Sequence, residues 1–450
     1  MSIRVRRSQF AWFPVAGWVL LNCVATPARA QVDTPSPARQ TINQQQETPN
    51  VDLPPPDASS AGGNVVEANE LGVSLGAFSL YPALDVYAGY DNNVFATTAA
   101  TSASPVTVWR PTLELKSDWA NHALRVVAGA GFGFYPAATT QNFQNYNLVA
   151  DGKLDILTDF YLTGLVGIRR NTEALGTPNV SFAQAPTVVD SVPVEIGLYQ
   201  KFNRFFYQVK AAAVKYWYYD YSTISSLGLP AASRNRTEYV EAVTLGYEIY
   251  EGVNVFVSPG LNQRIYADQV NSANQQRDSN GYNMNVGGSM TIGKRTSLDA
   301  SIGYTSQSYY SDGSTTSAGT FNLGGTWNGY EPLILRPSIS RSINESALTN
   351  YQNYVSTVLG VDWVYDVHYP WKMVGGLSYN TAVYTPVPGT GTPPRTDYFF
   401  KGSIGALYEV RPQYSIGPVY EYTQGWSSDV ATGGPQYNRS LFSIRLVIRR

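Results

Sequence analysis

A chain of 450 residues with a formal net charge of −2 carries no basic footprint for nucleic acid. Charged residues make up only 14% of it, against roughly 25% in soluble proteins, while Tyr (33), Trp (9) and Gly (39) are plentiful. With no internal apolar stretch long enough for a membrane helix, this composition argues against a soluble domain or a helical membrane protein. It points to a transmembrane β-barrel, in which only alternate residues meet lipid.

The N-terminus reads as an export signal. Arg4, Arg6 and Arg7 form a positive region, Phe10 to Val24 is mostly apolar and uncharged, and Ala28-Arg29-Ala30 supplies small residues for cleavage after Ala30. An uncleaved helix would need a longer apolar run, and a lipoprotein would need a small residue before Cys23, where Asn22 stands. Cleavage removes Cys23, the only cysteine, so the mature chain is expected to have no disulfide and no thiol chemistry. Residues 31–70 follow as a Pro/Gln-rich tail. Pro35, Pro37, Pro49 and Pro54-Pro55-Pro56 block regular structure, and the near absence of aromatics leaves too little apolar surface to order it, so a disordered periplasmic segment is expected.

From residue 71 to 450 the pattern is one of alternation. Tyr282, Met284, Val286, Gly288, Met290 and Ile292 occupy one face of a segment, with Asn283, Asn285, Gly287, Ser289 and Thr291 on the other. Period two is the signature of a two-faced strand. Similar segments run through Leu148–Ile156, Leu298–Thr305 and Tyr398–Glu409. Tight connections at Leu157-Thr158-Asp159, Lys201-Phe202-Asn203, Tyr250-Glu251-Gly252 and Gly293-Lys294 alternate with longer polar ones near 91–105, 172–187, 219–235, 267–277, 385–395 and 426–436. Short periplasmic turns and long outer loops are what an antiparallel up-and-down outer-membrane barrel shows. About 18 strands are expected, with 16 as the alternative; an even number returns both ends to the periplasm. A soluble propeller would require apolar residues on both strand faces and a recurring blade motif, and neither is present. Trp109, Trp119, Tyr216-Trp217-Tyr218-Tyr219, Trp363, Tyr365, Trp371 and Trp426 fall near strand ends and read as an interfacial girdle, with a sugar-binding path as the other reading. The last strand, Ser440 to Arg449, would put Phe442, Ile444, Leu446 and Ile448 in lipid and Ser443, Arg445 and Arg449 inward.

Apparent chemical motifs lack their context. Gly72-Val73-Ser74-Leu75-Gly76 matches a nucleophile elbow, but an elbow leads into a helix, and here Pro82 and further strand follow. His122 and His368 are two isolated histidines near predicted turns and make neither a metal site nor a dyad. Asp91-Asn92-Asn93 could ligate calcium but reads more simply as turn chemistry. No catalytic residue, metal ligand or cofactor is expected. The candidate site is the inward face: Glu114, Lys116, Arg125, Asp151, Lys153, Asp155, Arg169, Lys210, Asp299, Arg336, Asp362, Lys401 and Arg445, with Asp85, Glu195, Glu409 and Glu421 beside them. Both signs occur in comparable numbers. Rings of one sign would give strong ion selectivity, whereas a mixed lining suits a neutral or weakly charged solute.

Gly76, Phe78, Leu80, Pro82 and Leu84, followed by Tyr90-Asp91 and Asn93-Val94-Phe95, resemble the opening of the putative β-barrel porin 2 family. Ser117-Asp118-Trp119, Arg236-Thr237-Glu238-Tyr239 and Arg277-Asp278-Ser279 are similar to the family as well. The resemblance implies a barrel in the outer membrane of a Gram-negative cell, of a kind often linked to exopolysaccharide export. The implied partners are outer-membrane lipid, the barrel-assembly machinery, a polysaccharide and periplasmic export components. The expectation is therefore a passive porin-like channel, with a plugged structural or adhesive barrel as the alternative. The pattern identifies no subunit interface.

Overall fold

The computed structural model describes residues 72–450 except 179–184, 220–228, 269–275, 294–295, 311–312 and 432. The expected signal, its cleavage after Ala30, Cys23 and the Pro/Gln-rich tail lie outside the described residues. A two-residue strand, β1 (Val73–Ser74), pairs with the start of β2 (Phe78–Asp91). Next come β3 (Ser104–Ser117), β4 (Ala123–Phe134), β5 (Phe143–Leu157), β6 (Phe160–Glu173), β7 (Thr187–Phe202), β8 (Phe205–Tyr219), β9 (Arg236–Tyr250) and β10 (Val253–Tyr266). The chain continues through β11 (Ser279–Ile292), β12 (Thr296–Tyr309), β13 (Thr315–Tyr330), β14 (Leu333–Glu345), β15 (Tyr351–His368), β16 (Trp371–Pro386), β17 (Arg395–Arg411), β18 (Tyr414–Ser427) and β19 (Tyr437–Arg449).

Each strand from β2 onward pairs antiparallel with its sequence neighbours, and β19 pairs with β2 from Leu441↔Asp91 to Arg449↔Ala83. The sheet closes as an 18-stranded barrel. Closure removes the sheet edges, whose unpaired backbone groups hydrocarbon cannot satisfy. The last strand begins at Tyr437, before the expected Ser440, because Asn438 still finds a partner in Gln424.

Connections at one end are short: 118–122, 158–159, 203–204, 251–252, 293–295, 331–332, 369–370 and 412–413. Asn203, Gly252 and Gly293 take positive φ there, as tight hairpins of right-twisted strands require. The other end carries the longer connections, including 92–103, 174–186 and 220–235. Three further loops, 135–142, 310–314 and 346–350, are not among those the sequence pattern marks. In barrels of this type the turn end faces the periplasm and the loop end the exterior.

The alternation sorts side chains as expected. On β11, Tyr282, Met284 and Val286 are exposed outward, while Asn283, Asn285 and Ser289 are buried inward. On β19, Phe442 and Ile444 are exposed and Ser443 and Arg445 buried. On β4, Phe132 and Phe134 face outward, and inward Gly133 lies against the Phe143 ring with no room for a Cβ.

One seam departs from the regular ladder. β13 and β14 pair at Asn322↔Ser340, Leu323↔Ile339 and Gly324↔Ser338, then irregularly at Trp327↔Leu335 and Tyr330↔Leu333. Toward the loop end the ladder stops at Asn322↔Ser340, although β13 begins at Thr315 and β14 runs to Glu345.

Candidate functional site: the barrel lumen

Every candidate lining residue lies on a lumen-facing row, and most are joined in ion pairs. Arg445 binds Asp85 through Nε (2.9 Å) and Nη2 (2.8 Å), tying the last strand to the first. Arg125 reaches Asp151 at 2.8 Å and Glu114 at 3.6 Å, and Glu114 also meets Lys116 at 3.3 Å. Lys153 pairs with Asp155 (2.9 Å), Lys210 with Glu195, Lys401 with Glu421 (3.2 Å) and Lys372 with Glu409 (3.5 Å). Arg336 and Asp362 are directly opposite across the β14–β15 ladder. Arg169 stands opposite buried Ser191, and Asp299 opposite Ser289 and Gly324. These pairs arise because an inward charge has lipid behind it and a narrow polar interior before it. An opposite charge one strand away is its cheapest partner.

The wall formed by β10 to β13 is different. It presents Asn283, Asn285 and Ser289 from β11, Ser301 and Gln307 from β12, and Thr320 and Asn322 from β13. Thr320 bonds Asn285 at 3.3 Å, and the Gln307 amide donates to Ser279 at 2.8 Å. Amide and hydroxyl groups both donate and accept, so away from Asp299 and the loop-end Arg264 this wall offers hydrogen bonds of either sense.

Toward the loop end the lumen holds a buried cluster of Arg, Tyr and carboxylate that the sequence reading did not place there, although Arg236, Glu238 and Arg277 carry the family resemblance. Glu345 is 3% exposed and bonds Arg264, Arg277 (3.1 Å), the Tyr266 hydroxyl (2.8 Å) and the Tyr309 hydroxyl (3.3 Å). Arg234 grips Glu173 with two bonds of 3.0 Å and lies over the Tyr218 ring at 4.0 Å. Arg236 pairs with Glu238 (2.7 Å) and stacks on Tyr216 (5.0 Å). Arg395 and Asp397 form a fully buried pair. Part of this was legible. Arg236-x-Glu238 and Arg395-x-Asp397 set opposite charges two residues apart, hence on one strand face. The contribution of Glu345 was not, since its partners Arg264 and Arg277 are far away in sequence.

Tyr216 and Tyr218 therefore depart from the girdle expectation. They point inward, buried under Arg236 and Arg234, because their row also holds lumen-facing Val214 and Lys210. Trp109, Trp119, Tyr219, Tyr365 and Trp371 are exposed on the outer wall, with Trp371 edge-on to Tyr408 at 5.1 Å near the turn end. Trp363, Trp217 and Trp426 are half-buried, the last stacked on Tyr398 at 5.4 Å.

The apparent chemical motifs have structural occupations. Ser74 sits in β1 opposite Ser79, and strand rather than helix follows. Asp91 accepts from the Asn93 backbone N–H (3.0 Å) and binds Arg439 (2.8 Å), so its carboxylate closes a loop. The Asn93 amide donates to the Thr97 and Asn438 carbonyls at 2.8 Å each, stitching the first loop to the last. His122 accepts a bond from the Asp155 N–H at 3.2 Å in its turn, and His368 stands at a different turn, opposite Trp371.

A closed antiparallel barrel of lipid-spanning length, apolar outside and polar inside, defines an outer-membrane β-barrel of porin type. The chain belongs to the putative β-barrel porin 2 family, whose sequence model matches residues 68–450. No curated protein matches the sequence. Among solved structures it is similar to OccAB3 of Acinetobacter baumannii (9% identity, covering 84% of this chain and 100% of that one, TM-score 0.44). It is also similar to the outer membrane protein OpdK (10%, 83% and 99%, 0.42) and the siderophore receptor PirA (8%, 82% and 80%, 0.40), both of Pseudomonas aeruginosa.

Proposed function

We propose that the barrel is a passive channel for neutral, hydroxyl-rich solutes, and that its solute is a saccharide chain on its way out of the cell. The observation that carries this reading is the lumen's division into an ion-paired wall and a wall on β10 to β13 made mostly of amides and hydroxyls, with Asp299 and the loop-end Arg264 as its charges. Paired charges cancel over a few ångströms and leave little field for selecting ions, while the Asn, Gln, Ser and Thr rows match sugar hydroxyls. The hydroxyls that donate to lumen carboxylates, Ser427 to Asp397 (2.6 Å) and Tyr266 to Glu345 (2.8 Å), meet carboxylates already held by Arg395 and Arg264, which supports passage rather than turnover.

Single-channel conductance of the mature protein in a planar bilayer, with and without oligosaccharides, is the test. Steady, weakly ion-selective conductance that oligosaccharides interrupt is expected. Strong selectivity for one ion sign, or blockade by charged solutes alone, would overturn the saccharide reading. A second reading, a barrel that acts through its loops with the lumen closed, draws on one observation: loop residues Ala347 and Leu348 are only 2% exposed. It predicts an inserted, folded barrel with a silent bilayer.

A further inference from the structure

The interrupted β13–β14 seam has a counterpart inside the barrel. The alternation of β14 puts Ile339, opposite Leu323 and exposed Leu359, on the outer row, and Ile343 and Glu345 on that same row. Both are nevertheless buried, at 3% exposure. Ile343 packs on Ala318, which belongs to the lumen-facing row of β13, and on Val355. Glu345 reaches Arg264, Tyr266 and Tyr309 from β10 and β12, all on lumen rows, and Arg277 just before β11. The Asn353 amide donates to Thr316 at 2.9 Å, also on the lumen row. An outer row can touch a neighbour's inner row only if the end of the hairpin lies inside that neighbour. The loop-end half of β14–β15 is therefore tucked within the barrel, behind β13.

Tucking has a consequence for backbone pairing. Thr315–Phe321 keep β12 on one side but have no ladder to β14 on the other. In hydrocarbon such an edge is untenable, and it persists only near the loop end, where water reaches. The sequence retains the means of closing it. Continuing the register past Asn322↔Ser340 would set Thr320 opposite Ser342 and Ala318 opposite Asn344. Arg341, already 5.9 Å from its would-be neighbour ring Phe321, marks the point where the strands part. Two arrangements then compete. Tucked, Glu345 satisfies its carboxylate with two guanidinium groups and two tyrosine hydroxyls. Zipped, the ladder is completed, Glu345 moves to the outer rim where water solvates it, and the hairpin leaves the lumen.

We propose that the β14–β15 hairpin is a gate, latched in the lumen by Glu345 and opened by zipping β14 onto the free edge of β13. The gate deepens the channel reading and rests on it, but its motion can be read without any current. The test uses the mature full-length barrel in lipid bilayers, beginning after Ala30 and so without Cys23, the one native cysteine. One cysteine pair, Ala318→Cys with Ile343→Cys, reports the tucked state. The other, Thr320→Cys with Ser342→Cys, reports the zipped state. Expected is ready oxidation of the first pair in the otherwise unaltered protein, with lasting loss of large-conductance openings. Adding Glu345→Gln should raise the oxidation rate of the second pair by about tenfold, the effect of losing one charge-assisted hydrogen bond on a two-state equilibrium. Should Glu345→Gln fail to fold, judged by heat-modifiable gel mobility, Arg277→Gln unfastens the latch from the other side with the same expected shift. If the second pair oxidises no faster with either latch variant, the hairpin is a fixed plug and the gate is overturned. If cross-links exchange as expected while the bilayer stays silent, the gate stands and the channel reading falls.

Discussion

Arg445 shows how one side chain serves both the wall and the lumen. Its two bonds to Asp85 span the junction between β19 and β2, where the barrel is closed by residues far apart in the chain. The pair is largely buried, with the side chains 10% and 15% exposed, so truncating one partner strands the other charge. We expect Arg445→Met to destabilise the folded barrel by about 3 kcal/mol, the lower end for breaking a buried pair. Urea unfolding in lipid vesicles reads this, and Asp85→Asn added to Arg445→Met should recover part of the loss. Asn93 acts at the same scale on the loops. Asn93→Ala removes two bonds to backbone carbonyls and should cost about 1–2 kcal/mol. Faster proteolysis of the first outer loop, with the barrel core intact, is the expected sign. Neither role was visible from the sequence: Asp91-Asn92-Asn93 reads as a turn on its own, and its partners Asn438 and Arg439 are at the other end of the chain.

The strands carry a two-way code, and β11 states it most clearly. Val286 faces lipid near the strand's centre, so Val286→Arg should destabilise the barrel by about 2–4 kcal/mol, the price of a midplane cation. Asn254 on β10 faces the lumen, and its amide lies 3.3 Å from Ser289. Asn254→Lys should leave stability nearly unchanged and move reversal potentials toward anion preference in a salt gradient. Equal stability effects at the two positions would contradict the assignment of faces. The period-two pattern made these faces legible residue by residue, because a strand alternates sides whatever its neighbours do. It fails where a strand leaves the wall: Ile343 and Glu345 keep the outer parity of β14 yet are buried in the lumen.

For the whole molecule, closure is the condition of existence. A deletion ending the chain before Tyr437 would leave β18 and β2 as facing edges with no partner. We expect no heat-modifiable, urea-resistant species from such a chain, whereas a deletion confined to residues 31–70 should assemble normally. Both outcomes are read by gel mobility after insertion into vesicles. The lumen is also a property of the whole. Apart from Arg445–Asp85 at the closure, most of its wall ion pairs lie within a strand or link strands adjacent in sequence, such as β4 with β5 through Arg125 and Asp151, but its loop-end cluster joins β10, β12 and β14 at Glu345.

By itself the sequence left the strand number between about 18 and 16, and it determined the barrel, the direction each regular side chain faces and the mixed charge of the inner wall. These are local quantities, set by alternation within a strand and by charges on neighbouring hairpins. Only the tertiary structure decided where the wall breaks, which tyrosines turn inward to stack on arginines, and that a hairpin lies folded inside its own barrel. Those features depend on contacts between distant strands and on competition between a backbone ladder and a buried carboxylate, and no periodicity along the chain records which of the two prevails.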